Sequence, residues 1–257
     1  MRSKLSNGSN VIFDATNLSI KDRKQAVEIG RKYASAVIAY VMITPFTICH
    51  KQNFDRERQV PEFVLEKQLH KFQIPFKEEG FDIIYLDKWF SLTFPNKGNL
   101  DVIQNMMIGF DQKNPHHKFE LDEHCIYCCN KVTDLCLEQG VYNKDFIQSL
   151  GRAALIHDIG KVFSQSFGED GIAHYYEHHN IGAYSLLQNL DLIPADSYDQ
   201  LLDILFYVNY HMLPFSFSLT KEKTIKKYEK IFGQAKFGGL MFLNEADKFS
   251  SQNEFLF

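Results

Sequence analysis

Apolar residues are spaced differently at the two ends of this chain. In the first ninety residues, short apolar runs alternate with stretches of helical period. Asn10–Asp14 (NVIFD) predicts a short strand that stops at a carboxylate. Ser19 then stands where a helix cap is expected, ahead of Lys21, Arg23, Val27 and Ile29. Ala36–Ile43 (AVIAYVMI) is apolar at both alternating sets of positions, which predicts a parallel strand buried on both faces, and Phe81–Leu86 repeats that pattern. Between these two strands a polar segment runs from Asn53 to Pro61. Pro61 suits the first turn of a helix continuing through Phe63, Leu65 and Leu69. The first part therefore reads as α/β with a partial parallel sheet.

From Asn99 onward the β-branched runs disappear and 3.6-period stretches replace them, as in Leu121–Leu137, Ile147–His157 and Tyr198–Tyr210. The expected organisation is an α/β segment over residues 1–95, a linker or helix over 96–114, and an all-helical domain over 115–257. No internal repeat is visible.

Composition narrows the class. The chain has 257 residues, 45% hydrophobic and 23% charged, which is ordinary for a folded globular protein. Twenty-eight Lys and Arg against 32 Asp and Glu give a net charge of -4, so bulk charge offers no general attraction to nucleic acid and any phosphate site must be local. The longest apolar stretch, Ala34–Phe46, is interrupted by Ser35, Thr44 and Pro45 and falls short of the ~20 residues of a membrane span. The start of the chain lacks the apolar core of a secretory signal, so the expected location is the reducing cytoplasm. The 23 phenylalanines are scattered through both parts and read as core filling. Cys125, Cys128, Cys129 and Cys136 crowd into twelve residues, but no second CxxC pair completes a zinc knuckle. Their helical spacing predicts buried thiols.

The chemistry concentrates among the histidines, eight of whose ten members lie between His116 and His211. His157 and Asp158 are adjacent, and imidazole nitrogen with carboxylate oxygen is a donor pair suited to a divalent cation. His124 precedes them, and His178, His211 and Asp247 follow. The intervals of 32, 19, 32 and 35 residues are each long enough for a helix to leave and return, so six donors can converge inside one bundle. His179 would point about 100° away from its neighbour His178 on a helix, so only one of the pair faces the cation. Cation-assisted hydrolysis of a phosphoester follows from such a donor set, because a divalent ion acidifies water and polarises phosphoryl oxygens. Lys161 reads either as a charge neutraliser for those oxygens or as a solvated surface lysine. Arg152 reads either as a phosphate anchor or as a salt-bridge partner. His116, His117 and His174 are candidate phosphate contacts at the mouth.

The ordered set His124, His157-Asp158-x-Gly-Lys161, His178-x-x-x-Gly-Ala183, Tyr-His211 and Asp247 resembles the HD-domain phosphohydrolase superfamily over roughly residues 115–250. The resemblance implies a helical fold in which His124, His157, Asp158 and Asp247 hold one metal. It further implies that His178 and His211, with Asp158 bridging, admit a second, so the expected cofactor is one or two divalent ions of the manganese, iron, cobalt, nickel, zinc or magnesium class. The stretch from His174 to Tyr184 is similar to members found beside transfer-RNA nucleotidyltransferases and nucleic-acid end-repair kinases. Val162 departs from the proline those members often carry after Gly-Lys, which bears on the loop.

The first part also carries a resemblance. Gly8–Arg23, with Asp14, Thr16 and Asn17, followed by Asn53, Arg56, Arg58 and Pro61, and then Glu78–Ile84, is similar to P-loop polynucleotide kinases up to about residue 88. No G-x-x-x-x-G-K-[ST] occurs in the chain, so neither the phosphate cradle nor its lysine is present and ATP binding is not expected. Such a segment would be a truncated kinase-like half lacking a central strand, with Asp14, Arg56 and Arg58 as candidate contacts to a nucleic-acid end or as inherited scaffold. The expected activity is metal-dependent hydrolysis of nucleotide or nucleic-acid end phosphates, with RNA end repair implied by the resemblance. The alternatives are a catalytically silent nucleic-acid or partner-binding module, or a fragment of a bifunctional polynucleotide kinase-phosphohydrolase.

Overall fold

In the computed structural model, residues 1–87, 91–217 and 222–252 are described. The chain divides into two units, Met1–Ser91 and Leu92–Phe257.

The first unit comprises α1 (Arg2–Ser6), α2 (Ile20–Tyr33), β1 (Ile38–Val41), α3 (Phe46–Asp55), α4 (Glu62–His70) and β2 (Ile83–Leu86). Ser19 caps α2 as its sequence position predicts: its hydroxyl accepts from the Asp22 N–H, while the Asp22 carboxylate accepts from Ser19 N–H in return. Pro61 immediately precedes α4, where its fixed φ suits entry into the helix. β1 and β2 pair in parallel with Ile38 opposite Ile83 and Val41 opposite Leu86. Ile84, Leu86, Ile74 and Phe76 are buried at the centre of this unit. Arg23 of α2 is buried against Glu79, 2.6 Å away, and also donates to the carbonyls of Asn17 and Gln73, which ties the helix to the turn before β2.

Two expectations fail here. Asn10–Asp14 forms no strand: Ile12 is 94% exposed and Phe13 stands in solvent, because an apolar run becomes a strand only where a neighbouring edge offers hydrogen bonds. β1 is not buried on both faces either. Ile38, Tyr40 and the following Met42 are exposed, since no layer among the described residues of this unit covers that side of the two-stranded sheet.

The second unit is built from α5 (Asp101–Gln104), α6 (Leu121–Glu138), α7 (Lys144–Ile156), α8 (Lys161–Ser164), α9 (His178–Leu187), α10 (Tyr198–Tyr210), α11 (Glu222–Phe232) and α12 (Gln234–Gln252). A two-residue-stranded hairpin, β3 (Ser166–Phe167) with β4 (Ala173–His174), interrupts the helices. α6 packs against α7 and α12, and α10 against α7 and α9. α10 is apolar almost all the way round and is accordingly the central helix, with Leu201, Ile204, Leu205, Phe206 and Val208 fully enclosed. Asn143 and Ser197 cap α7 and α10 by accepting from the N–H groups of Phe146 and Gln200. Cys125, Cys128 and Cys136 are buried on α6 as free thiols, and burial pushes the Cys128 thiol well above its usual range. Among the described residues no helix is long and apolar enough to cross a membrane.

Candidate metal centre

Five helices deliver six side chains to one buried point. His124 comes from the first turn of α6 and Asp247 from the second half of α12. His157 and Asp158 sit just past the last turn of α7, His178 opens α9, and His211 ends α10. All six are buried, His157 completely.

The two oxygens of Asp158 divide the group. Oδ1 lies 3.0 Å from His178 Nε2 and 3.4 Å from His211 Nε2. Oδ2 lies 3.4 Å from the Nε2 atoms of both His124 and His157. Asp247 Oδ1 closes the second side at 3.2 Å from His124 Nε2 and 3.8 Å from His157 Nε2. Two ligands each about 2.1 Å from one ion stand roughly 3.0–3.4 Å apart, the spacing that prevails here.

The orientation of the imidazoles follows from where their helices stop. His157 and His211 are the C-cap residues of α7 and α10, and their Nδ1 atoms lie 2.8 Å from the carbonyls of Ala154 and Val208, three residues back. These carbonyls belong to the last helical turn and lack an intrahelical donor, so an Nδ1–H fills the vacancy. His178 Nδ1 makes the equivalent contact to the Tyr175 carbonyl at 2.9 Å. An imidazole that donates through Nδ1 presents a lone pair at Nε2, the tautomer a metal requires.

That tautomer supplies a test of fit. His178 Nε2 and His211 Nε2 face each other at 3.1 Å beside Asp158 Oδ1, which gives three acceptors and no donor unless a proton or a cation lies among them. His124 Nε2 and His157 Nε2 are buried and make no hydrogen bond, although carboxylate oxygens surround them. Buried polar atoms without partners are costly, and a divalent cation would satisfy all of them at once. The donor set fits such an ion.

Burial alone would lower the His124 pKa, but the carboxylates of Asp158 and Asp247 outweigh it and hold the group at about 9. His157 is likewise held well above its usual value, against burial, mainly by Asp158. Asp158 and Asp247 stay well below the normal carboxylate range because the facing imidazoles, and Lys161 in the case of Asp158, override desolvation. On the other side, burial holds His211 down at about 4 against the pull of Asp158, aided by the neighbouring His157 and His178.

Lys161 is buried, which disposes of the surface reading. Its Nζ lies 2.6 Å from Asp158 Oδ2, donates to Gln112 Oε1 at 2.8 Å, and stands 5.5 Å from the centre of the Tyr175 ring. His117 reaches the same place, with Nε2 3.4 Å from Lys161 Nζ, and burial together with that cation pushes its pKa down to about 4. His174 lies one residue before Tyr175, on the hairpin beside the cluster. His116 is exposed, and only its backbone N–H is engaged, by Asn114 Oδ1. His179 is not among the grouped donors: its Nε2 lies 3.5 Å from Glu177 Oε2, and its ring centre stands 6.1 Å from that of His211.

Arg152 is not part of the cluster. Arg152 donates to Gln200 Oε1 at 2.7 Å and faces Asp196. Gln200 precedes His211 by eleven residues of helix, about 16 Å, so Arg152 belongs to a polar contact at the far end of α10 and is corrected to the salt-bridge reading. Arg56 and Arg58 are exposed in the first unit, with the Arg56 guanidinium bound to Asn53 Oδ1, and Asp14 is exposed in the irregular segment before α2. Gln112 and Tyr175 were not expected from the sequence. Neither residue type advertises this chemistry, although Tyr175 stands three residues before His178, where a carbonyl partner for its ring is to be sought.

Residues 1–75 match the family model of an AAA domain, which supports the kinase-like character of the N-terminal segment and leaves the histidine and aspartate cluster outside the match. No curated protein and no solved structure matches the chain.

Proposed function

We propose that the second unit is a metal-dependent phosphohydrolase of the HD-domain kind, acting on nucleotide or nucleic-acid end phosphates. The observation that carries this reading is the meeting of His124, His157, Asp158, His178, His211 and Asp247 from five helices, in the order the resemblance implies. These six side chains would hold the cation, with Asp158 contributing one oxygen to each side. When bound, a divalent ion supplies Lewis acidity toward a phosphoryl oxygen and toward water.

The chain's own residues supply the rest. Lys161 is held by Asp158 and Gln112 with its ammonium beside the donor atoms, so it can balance negative charge building on a phosphoryl oxygen without having to be desolvated first. His117, neutral at pH 7, keeps a nitrogen available next to that ammonium. The Ala154, Val208 and Tyr175 carbonyls fix three imidazoles before substrate arrives, which lowers the cost of assembling the site.

The test is elemental analysis of protein purified without chelators, paired with phosphoester hydrolysis. Wild type is expected to hold one or two divalent ions and to hydrolyse nucleoside phosphates. Asp158→Asn is expected to lose metal and at least a hundredfold in rate while remaining folded. Retention of metal and rate by that variant refutes the assignment.

A second reading draws on the match of residues 1–75: the first unit contributes nucleotide recognition of a kinase-like type, with or without hydrolysis next door. The chain contains no phosphate-cradling glycine loop, so this reading predicts recognition without phosphoryl transfer. Calorimetric titration with Mg-ATP separates the two, since micromolar affinity in the Asp158→Asn protein would place nucleotide binding away from the cluster.

A further inference from the structure

Bulk charge gives this chain no general attraction to a polyanion, so a surface for one has to be local, and α11 is where positive charge collects. The helix carries Lys223, Lys226, Lys227 and Lys230 against Glu222 and Glu229, a net charge of +2 on 11 residues in a chain of net charge -4. At about 100° per residue, its residues sort onto two sides. Ile225, Tyr228 and Phe232 share the side that is committed to the core. Phe232 is fully buried, its ring 5.3 Å from those of Phe206 and Tyr210 on α10, and Tyr228 stacks on Phe217 at 4.8 Å. The four lysines fall within an arc of about 100° on the opposite side, and all are exposed; both glutamates lie outside that arc, on one flank. Lys226 pairs with Glu222 at 2.6 Å, and the Lys227 ammonium stands 5.0 Å from the centre of the Tyr228 ring. Lys226 and Glu222 are 71% and 79% exposed, so the pair is weak and another anion displaces Glu222 at little cost. Lys223 and Lys230 form no ion pair among the described residues.

Lys223 and Lys230 lie two helical turns apart, so this face sets four cations along about 10.5 Å. A single phosphate is too small to engage more than one or two of them, whereas a nucleic-acid strand brings a charge every ~3.4 Å of a duplex. We propose that the lysine face of α11 is a docking surface for the sugar-phosphate backbone of a nucleic acid. Lysine contacts of this kind position a strand and carry no sequence information. Two other anionic partners are disfavoured by the same helix. A lipid surface takes up an amphipathic helix through its apolar side, and here Phe206, Tyr210 and Phe217 already cover that side. An acidic protein is met through arginine and aromatic anchors, in which interfaces are enriched while lysine is depleted, and the arc contains lysine alone. The proposal does not rest on the phosphohydrolase reading, because the contact needs neither the cation nor turnover. Where both hold, it favours nucleic-acid ends over free nucleotides.

The full chain is titrated into two fluorescein-labelled single-stranded RNAs of different sequence, and binding is followed by fluorescence anisotropy over a range of salt. The two RNAs are expected to bind alike. Four lysine contacts predict a slope of log K against log salt of about -2.8, which is a loss of about fiftyfold between about 50 and about 200 mM salt. Lys223→Gln with Lys227→Gln is expected to halve that slope, and the quadruple variant that adds Lys226→Gln and Lys230→Gln to abolish binding at the higher salt. Glutamine matches lysine in helix propensity and all four side chains are exposed, so the fold is retained, as circular dichroism checks. Lys21→Gln with Lys24→Gln, exposed on α2, removes the same charge as the first pair and is expected to leave the slope unchanged. No binding by wild type at about 50 mM salt, a wild-type slope in the quadruple variant, or an equal loss in the α2 pair overturns the proposal. So does binding of polyglutamate or of phosphatidylserine vesicles in preference to RNA, which would assign the face to an acidic protein or to a lipid surface. Hydrolysis of a nucleoside monophosphate, followed in the same proteins, keeps the two readings apart, since the quadruple variant is expected to retain the wild-type rate. RNA binding without turnover leaves the lysine face standing and removes the hydrolase, and turnover without RNA binding does the reverse.

Discussion

Gly160 decides how closely the turn carrying His157 and Asp158 approaches α9, and replacing it with alanine should damage both stability and the cluster. Its φ of -63° and ψ of -20° are helical, so no backbone requirement keeps glycine there. On conformational grounds alone Gly160→Ala would stabilise the protein by about 0.4–1 kcal/mol. The obstacle is contact. A Cβ at this position would stand 1.9 Å from the His178 carbonyl oxygen and 2.7 Å from Gly182 N, both backbone atoms. Real Cβ atoms essentially never come nearer than 3.0 Å, so the turn and α9 must part by about 1.1 Å. Overpacking against backbone costs about 3 kcal/mol, at the upper end of the usual range because no side chain can rotate out of the way. Set against the entropic gain, the expected loss is about 2–3 kcal/mol, a fall of roughly 1 M in the urea midpoint followed by circular dichroism. The same displacement would pull His178 away from Asp158 Oδ1, now 3.0 Å distant, and weaken metal affinity. Gly238→Ala is the internal control: it lies within α12 with open space around its Cβ, and should stabilise by about 0.5–1 kcal/mol. A Gly160→Ala midpoint equal to or above wild type would show that the close approach does not exist and would remove the geometric basis for joining His178 to Asp158.

Three further outcomes are expected. Glu79→Ala leaves the Arg23 guanidinium buried without its counter-charge and should destabilise the first unit by about 3–5 kcal/mol in denaturant, whereas the double variant Arg23→Met with Glu79→Leu should recover most of that loss. The Asp22 carboxyl is held below its usual 3.8 chiefly by the Lys71 ammonium and also by Ser19, so its contribution is complete above pH ~4 and is lost as pH falls through the lowered value; Asp22→Asn should therefore cost about 1 kcal/mol at pH 7 and progressively less as pH falls below ~4. His124, whose pKa is raised to about 9, must give up its proton to ligate, so metal uptake at pH 7 should release protons and tighten with each step toward pH 9; calorimetry in buffers of different ionisation enthalpy reads that release, and a buffer-independent heat would contradict the protonated resting state.

The legible parts of the sequence were those whose signal is chemical or strictly local. Ser19 and Pro61 act at helix starts through hydrogen bonds and a fixed φ that need no distant partner, and the structure places both where the pattern does. The six metal-ligand candidates were legible because imidazole and carboxylate are uncommon in a core, and their recurrence at helix-length intervals points to a single shared interior. What failed depended on surroundings. Asn10–Asp14 and Ala36–Ile43 have the apolar content of strands, but pairing and two-sided burial require neighbours that a two-stranded sheet does not supply. Gln112, which holds Lys161, comes from a loop nine residues before α6 and approaches through a tertiary contact that no periodicity encodes. Arg152 shows the converse, since five residues of separation from His157 suggested a shared site while the helix carries it toward Asp196 and Gln200.

The placement of the donors explains why a helical bundle can build this centre with so little irregular backbone. A histidine inside a helix has no local acceptor for Nδ1–H, because the nearby carbonyls already serve the helix; His124, in the first turn of α6, is such a case, and its Nδ1 is buried without a partner. Histidines placed one step past a helix find three-back carbonyls unused, as His157 and His211 do. Three of the four imidazoles are thus oriented by backbone, and the fourth is oriented by the carboxylates it faces. The two carboxylates therefore have unequal structural duties. Asp247 serves one side alone, whereas Asp158 touches all four imidazoles and Lys161, so its loss would unbalance every charge in the cluster at once. That inequality orders the variants: metal retention should fall further in Asp158→Asn than in Asp247→Asn, and the reverse order would mean that the two sides of the cluster are independent sites.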